Sequence, residues 1–469
     1  MDTWMIVGLV VTIALIAGLS IYSGTKNKAG ASSKNGAPII AGVIIGTLVG
    51  GSSTVGTAQL AYNYGMAAWW FTLGGGIACL ILALGYVGPL RRQGCPTLVG
   101  MIRKEYGDGA GMAASILNSV GTFINIISQL ISATAVIAVL FPDMGVVPEL
   151  IISAAFMVLY VVFGGTKGAG MVGVVKTILL YVSMLGCAGV VLALVGGVGP
   201  FADMVHSIDN PEGIHFFSLI ARGAGEDIGA GLSLVLGVLT TQTYAQAVLS
   251  GKTDGAARRG ALLSAFLIPP IGVGGILVGL YMRANAALYP GLTAKTALTT
   301  FVTAEMPPVL AGVILGTLFI AVVGTGAGLA LGISSILNND IVKRVTHKFD
   351  DPRKESWLSK VWIVAVLALA CCMSTGSLGD TILQFAFMSM GLRGAVVFLP
   401  LCAALWLPGR IDRKFAMASI IIAPICVLLF GTVFSSLISF DSLFIGIVAS
   451  VAIMAVGYAV GRRRPLAAN

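Results

Sequence analysis

The stretch LVGGSSTVGTAQ, 48–59, places small and polar residues in the middle of a long apolar run. Two glycines are followed by three hydroxyl side chains, those of Ser52, Ser53 and Thr54. Lipid offers no partner to backbone groups freed by a broken helix, so such a break is tolerated only inside protein or beside a water-filled cavity. Hydroxyls and unwound carbonyls can coordinate cations and hold polar molecules. The stretch therefore predicts a site that binds a cation or a polar molecule, rather than a catalytic site.

A second stretch, LTTQTYAQ at 239–246, ends another apolar run with a polar cluster. We expect it to face the first break across a cavity near the middle of the membrane. Its candidate binding side chains are Thr241, Gln242, Tyr244 and Gln246. A tight contact between helices would explain the first stretch taken alone, but the pairing of two breaks favours a binding site.

Arg393 lies about midway along the apolar run 380–406. A charge at that depth is costly and usually functional, and a guanidinium can bind a carboxylate through two parallel hydrogen bonds. Two other interpretations remain open: a structural pair with Asp380, or a local break that lifts the side chain toward water.

Four polar residues share one face of the apolar run 112–140, at the helical spacing i, i+3, i+4 and i+7. They are Asn125, Ser128, Gln129 and Ser132. Such groups form ordinary hydrogen bonds between membrane helices, and they can equally line a pocket. We count Asn125 and Gln129 among the candidate solute-binding residues.

No CxxC motif, HExxH motif, phosphate-binding loop or Ser-His-Asp arrangement occurs in the sequence. The seven cysteines lie mostly within apolar runs, and the three histidines lie in predicted loops. The sequence therefore predicts neither an enzyme nor a resident cofactor.

The composition predicts a polytopic helical membrane protein. Of 469 residues, 57% are hydrophobic and 10% are charged, with a mean hydropathy of +0.97, whereas a soluble domain carries about 25% charged residues. The net charge of +9 is spread over short loops and forms no patch, which argues against a nucleic-acid partner. The expected partners are the lipid bilayer and a small-molecule solute. The sequence does not distinguish a monomer from a homo-oligomer.

Thirteen apolar runs are long enough to cross a bilayer. They are approximately 4–22, 38–61, 67–90, 112–140, 148–164, 171–196, 227–247, 261–283, 306–339, 358–375, 380–406, 415–432 and 441–460. With alternating spans, most lysines and arginines fall on one side, which predicts an outside N-terminus and a cytoplasmic C-terminus. The first run lacks a basic leader and is not expected to be a signal peptide. The expected location is the bacterial inner membrane.

The two breaks lie five spans apart, in the second and seventh runs. This interval predicts two inverted five-helix repeats in an all-α fold. The predicted segments are a leading helix with its loop, a first repeat, an outside loop, a second repeat and two trailing helices, at 1–35, 36–196, 197–225, 226–406 and 407–469.

Five stretches in a fixed order carry a family resemblance. They are GGSSTVGTAQLAYNYG, CPTLVGMIRKEYGDG, LYVVFGGTKGAG, QAVLSGKTDGAARRG and GTGAGLALGISSILNNDIVKR. Together they resemble the sodium:solute symporter family. The resemblance covers residues 1–410 and implies a leucine-transporter-like inverted-repeat fold that works by alternating access.

The resemblance also implies a sodium site, with sodium as the coupling ion. Its ligands would be backbone carbonyls near Gly46 and Val49, Ala321, and a hydroxyl pair that maps to Gly324 and Thr325. One hydroxyl of that pair is therefore missing in this sequence.

A second departure falls in the fifth core helix. The aspartate that the family usually carries there is absent: the positions read Val172 and Gly173, and Lys176 follows one turn later. One interpretation is that Lys176 extends toward the cytoplasmic interface. The other is that its ammonium occupies the cation site, replacing sodium or relaying a proton.

The predicted function is secondary active transport, in which a small polar or anionic solute is moved by cation-coupled symport with sodium as the expected cation. The alternative is a sodium-independent, Lys176-dependent proton-coupled transporter or exchanger. A channel or membrane sensor on the same scaffold is the competing class. A sensor would need a long C-terminal signalling domain, whereas only residues 462–469 follow the last apolar run.

Overall fold

The computed structural model describes residues 2–26, 35–164, 169–342, 352–375 and 382–461, and this part of the chain is helical without a β-strand. Its α-helices are, in chain order, α1 Thr3–Lys26, α2 Ala37–Leu48, α3 Thr57–Tyr64, α4 Trp70–Ile81, α5 Val87–Arg92, α6 Leu98–Tyr106, α7 Asp108–Leu140, α8 Val146–Gly164, α9 Ala169–Val195, α10 Val198–His206, α11 Ala224–Thr240, α12 Gln242–Leu249, α13 Asp254–Ala284, α14 Ala297–Glu305, α15 Pro308–Ile336, α16 Pro352–Ser374, α17 Ile382–Trp406, α18 Arg413–Gly431 and α19 Leu443–Gly461.

The all-α membrane fold predicted from the sequence is confirmed. Within the described ranges, nine helices are long and apolar enough to cross a membrane. The bent pair α11–α12 adds a tenth, and three shorter apolar helices lie in α1, α2 and α8. This inventory is compatible with thirteen spans. The division of the chain into two repeats with leading and trailing helices stays a prediction.

The core of the bundle consists of α7, α15 and α17. In α7 and α15, 78% of the most apolar window is buried, and in α17 72% is buried, against 33% in α18 and 28% in α19. The polar residues of interest lie on these central helices and on the interrupted helices packed against them. The two trailing helices therefore cover the outside of the bundle.

The helix that begins at Ala37 is interrupted near its middle. The α2 helix ends at Leu48, and Val49 adopts an extended conformation with φ −85° and ψ 97°. A π-helical turn at Ser52–Gly56 then leads into α3. The first break predicted from the sequence is present.

The second interruption falls at a single residue. Thr241 has φ −86° and ψ 125°, so that α11 ends at Thr240 and α12 begins at Gln242. The two helices are bent by 48° with respect to each other. The second predicted break is also present.

Glycines bring α1 against α15 at backbone distance. A methyl group at Gly312 would overlap the carbonyl oxygen of Met5, and one at Gly8 would overlap that of Val309. Gly316 packs in the same way: a Cβ added there would lie 3.1 Å from the carbonyl oxygen of Leu9. The absence of side chains is what allows these two helices to cross so closely.

Replacing Gly312 with valine should therefore separate α1 from α15. Overpacking of this kind costs about 1–3 kcal/mol, and we expect a lower thermal unfolding midpoint of the detergent-solubilised protein. Gly328→Val is the matched control, because Gly328 lies on the same helix and an added Cβ there meets no atom within 4 Å. Equal midpoints for the two variants would contradict the close crossing.

Candidate functional site

Several backbone groups freed at the first break find partners inside the protein. The N–H of Gly51 donates to Gln129 Oε1 at 2.9 Å, and the N–H of Gly50 donates to Ser53 Oγ at 2.9 Å. The hydroxyls of Ser53 and Thr54 in turn donate to the carbonyl oxygen of Gly50 at 3.0 and 2.9 Å. Ser53 and Thr54 thus serve the backbone of the break, because their short side chains fold back onto the same turn.

The polar face of α7 holds the break in place. Gln129 Nε2 donates to Ser52 Oγ at 3.1 Å and to Asn125 Oδ1 at 3.2 Å. The hydroxyls of Ser52 and Ser128 lie 2.9 Å apart, and Ser128 also donates to the carbonyl of Ile382 on α17. Most of this face therefore bonds helix to helix. Asn125 Nδ2 makes no hydrogen bond within the described ranges, which leaves it free to contact a solute.

Lys176 reaches from α9 into the gap between the first break and α15. Its Nζ donates to the carbonyl oxygens of Gly46 at 2.7 Å and Ala321 at 3.0 Å, and to Thr325 Oγ1 at 3.1 Å. The residue is only 5% exposed. Three of the oxygens predicted as sodium ligands thus surround one ammonium group.

The α2 helix explains why an oxygen of Gly46 is available. Because α2 ends at Leu48, the carbonyl of Gly46 is among the last four of the helix and has no partner from a continuing turn. The negative end of the helix dipole lies at the same place. Both effects favour a positive charge at this helix end.

The remaining two predicted sodium ligands are placed differently. Val49 is the extended residue that follows α2, and it is fully buried. Gly324 lies on α15 beside Tyr160, whose ring and hydroxyl would be 3.4 Å from an added Cβ. Within the described ranges, neither residue forms a hydrogen bond with Lys176.

Arg393 lies deep in the bundle at the second break. It is 2% exposed, and its Nη1 donates to Thr241 Oγ1 at 2.9 Å. Its Nε and Nη2 donate to the carbonyl and the hydroxyl of Ser389, both at 3.1 Å, and Nη2 also contacts Met390 Sδ at 3.0 Å. Asp380, the partner considered from the sequence, lies outside the described residues. No carboxylate of the described part of the chain pairs with Arg393.

The other candidate solute-binding residues of the second stretch form no hydrogen bond with Arg393 in the described structure. Tyr244 is buried within electrostatic range of the guanidinium. Gln242 instead extends to the segment before α6, where it accepts from Leu98 N at 2.9 Å and donates to the carbonyl of Pro96. Gln246 is exposed. The helical turn after the break carries these glutamines away from Arg393.

The α7 helix links the two groups. Gly121 leaves room for Arg393, since a Cβ there would lie 2.7 Å from Arg393 Cγ. Asn125 follows one turn later and Gln129 another turn later, so the α7 positions next to the two breaks lie about 12 Å apart along the helix axis. A small solute could span this distance.

Two contributing residues were missed from the sequence. Ser389 supports Arg393 and also donates to the carbonyl of Gly121 at 2.6 Å; its i−4 spacing from Arg393 was the available signal. Gln59 accepts from the N–H of Ile382 at 2.9 Å and so joins the first broken span to the start of α17. The position of Gln59 relative to other polar residues did not indicate this role.

Replacing Gln129 with leucine should destabilise the first break. The N–H of Gly51 would be left buried without an acceptor, which costs about 1–3 kcal/mol. We expect a lower unfolding midpoint in detergent together with reduced transport. Gln384→Leu serves as the control because that side chain is exposed on α17, and equal effects of the two changes would refute the role of Gln129.

Comparison with known proteins places these features in a family. Residues 31–423 match the model of the sodium:solute symporter family. The high-affinity choline transporter 1 of Drosophila melanogaster is 24% identical over 79% of this chain. The aligned region spans 62% of the length of that protein, about three fifths. The sodium/pantothenate symporter of Escherichia coli is 21% identical, over 99% of this chain and 97% of its own.

Solved structures support the same fold. A Na⁺-coupled sialic acid symporter, in a substrate-bound outward-open state, superposes with a TM-score of 0.75 at 19% identity, over 99% of this chain and 98% of its own. A nucleobase-cation-symport-1 family transporter in a closed conformation gives 0.57 at 13% identity, over 93% and 95% of the two chains. At these identities the likeness concerns the fold alone.

The family match covers most of the chain and agrees with the apolar helices of the structure. It confirms the resemblance inferred from the five sequence stretches, and the apolar helices support the predicted integral membrane protein. This chain belongs to the sodium:solute symporter family.

Proposed function

We propose that this transporter carries a small anionic solute, held between the two breaks, by alternating access. The observation that supports the proposal is Arg393: a guanidinium buried to 98%, bonded to the break residue Thr241, with no carboxylate partner in the described structure. A buried cation without a counter-charge is costly, and an anionic ligand would offset that cost.

The hydrogen bonds of Arg393 leave capacity for such a ligand. A guanidinium has five N–H groups, and one bond here goes to a thioether sulfur, a weak acceptor. A carboxylate could replace that sulfur contact and bind through two parallel hydrogen bonds. Asn125 Nδ2, on the adjacent face of α7, could donate to a polar group at the other end of the same solute.

Charge also supports one class of solute among those named for the relatives. Choline is a quaternary ammonium, and such cations are bound by aromatic faces rather than beside a guanidinium. Pantothenate and sialic acid both carry a carboxylate. Arg393 therefore favours a carboxylate solute over choline, although most of the relatives compared are choline transporters.

The first break is also where we propose the cation site. Sodium is the family's coupling ion, and we place the corresponding cation site at Gly46, Ala321 and Thr325, with Val49 and Gly324 nearby. The distribution of lysines and arginines supports an outside N-terminus and a cytoplasmic C-terminus in a bacterial inner membrane. Uptake would then run inward from the side on which α3 and α4 meet.

Replacing Arg393 with glutamine should selectively impair carboxylate transport. Losing charge-assisted bonds to the solute corresponds to about a tenfold or larger drop in affinity. The measurement is uptake of labelled pantothenate, sialic acid and choline into proteoliposomes that contain the purified protein. Arg393→Lys, which keeps the charge but loses the planar fork, should retain part of the activity.

Arg259→Gln is the matched control, because it removes an exposed arginine of α13. Thr241→Val keeps Arg393 and removes only its partner at the break, which separates a solute effect from a folding effect. Wild-type uptake restricted to choline, or carboxylate uptake that Arg393→Gln leaves intact, would refute the proposal.

A further inference from the structure

We propose that the ammonium of Lys176 is a tethered cation that takes the place of sodium between the first break and α15. The proposal goes beyond the solute assignment, because it concerns the ion and rests on different residues. Sodium would then be dispensable at this site, where the family name leads one to expect it.

The number of contacts matches an ammonium. Lysine has three N–H donors and no acceptor, and Nζ of Lys176 meets three oxygens, those of Gly46, Ala321 and Thr325, at 2.7 to 3.1 Å. All three donors are satisfied in a place that is 95% buried. The site is therefore complete with the lysine in it, and the space between these oxygens is filled.

The lysine is held as an ion would be, not as half of an ion pair. The α2 and α15 helices, which supply the three oxygens, contain no ionisable side chain. Lys176 forms no salt bridge within the described residues. Neutral carbonyl and hydroxyl oxygens also coordinate sodium in broken-helix transporters.

The local packing explains how the lysine reaches the site. A methyl group at Gly173 would overlap the carbonyl oxygen of Gly42, and one at Gly46 would lie 2.9 Å from Gly173 Cα. The α9 helix therefore approaches α2 through bare backbone at Gly173. Lys176, one turn further along the same face, then extends past the contact to the end of α2.

The departures from the family pattern agree with one another. An aspartate at position 173 could not be accommodated against Gly42, and the hydroxyl missing at Gly324 is not needed by an ammonium that already has three acceptors. The interpretation of Lys176 as a side chain extending to the interface does not account for its burial or its three partners. A sodium ion at the same oxygens would also lie beside a positive charge.

The test is sodium-specific stabilisation of the purified protein, which does not depend on the identity of the solute. Unfolding midpoints are measured in sodium chloride and in potassium chloride at equal ionic strength. The wild type should show no difference between the salts. Lys176→Ala, in which the oxygens are vacated, should gain a sodium-specific rise of several degrees, and the double variant Lys176→Ala/Thr325→Val should lose it.

Lys176→Arg is the charge-preserving control and should remain indifferent to sodium, while the nearly isosteric Lys176→Met replaces Lys176→Ala if alanine impairs folding. A sodium-specific rise in the wild type that Thr325→Val removes would overturn the proposal. So would Lys176→Ala and Lys176→Met variants that fold and are as indifferent to sodium as the wild type. Failure of carboxylate uptake, by contrast, would bear only on Arg393.

Discussion

The architecture depends on one constraint: a peptide group that leaves a helix within a bilayer must find its partner in the protein. At the first break, Gln129, Ser53 and Thr54 supply these partners. At the second break, the threonine hydroxyls of Thr240 and Thr241 bond back to carbonyls of α11. One carbonyl near the end of α2, that of Gly46, accepts a hydrogen bond from the ammonium of Lys176. The interruption of the helix therefore has two effects: it requires new partners for the backbone, and it leaves an oxygen that can bind a cation.

The sequence predicted the parts of the structure that are governed by local composition. The apolar runs predicted the helices, and polar residues inside apolar runs located both breaks to within a few residues. The polar face of α7 followed from helical spacing, and Gln129 and Asn125 lie where that spacing placed them. Local patterns were sufficient here because a polar side chain within a membrane-spanning run has no water to bond to. Such a residue therefore indicates either a hydrogen bond within the protein or a binding site.

Contacts between distant segments could not be predicted in the same way. Thr241 and Arg393 are separated by 152 positions, and nothing in either stretch indicates which hydroxyl the guanidinium meets. For Lys176 the sequence left two interpretations open, since the length of a lysine side chain permits either. The deciding factor was the glycine contact between α9 and α2, a property of two surfaces at once. The sequence did not predict that the hydroxyls of Ser53 and Thr54 donate to the backbone of their own turn, and their assignment to solute binding stays a prediction.

The crossing of α1 over α15 through Gly8, Gly312 and Gly316 has a mechanical consequence. Two helices in backbone contact have no intervening side chains that could change rotamer and absorb a displacement, so they move together. The α15 helix carries Ala321 and Thr325, and the outer face of α1 is apolar and exposed at Trp4, Val7, Val10 and Val11. A shift of α15 in the proposed transport cycle would therefore move an apolar surface of α1 through the surrounding acyl chains. The viscosity and lateral pressure of the membrane would then act on the helix that carries the proposed cation site.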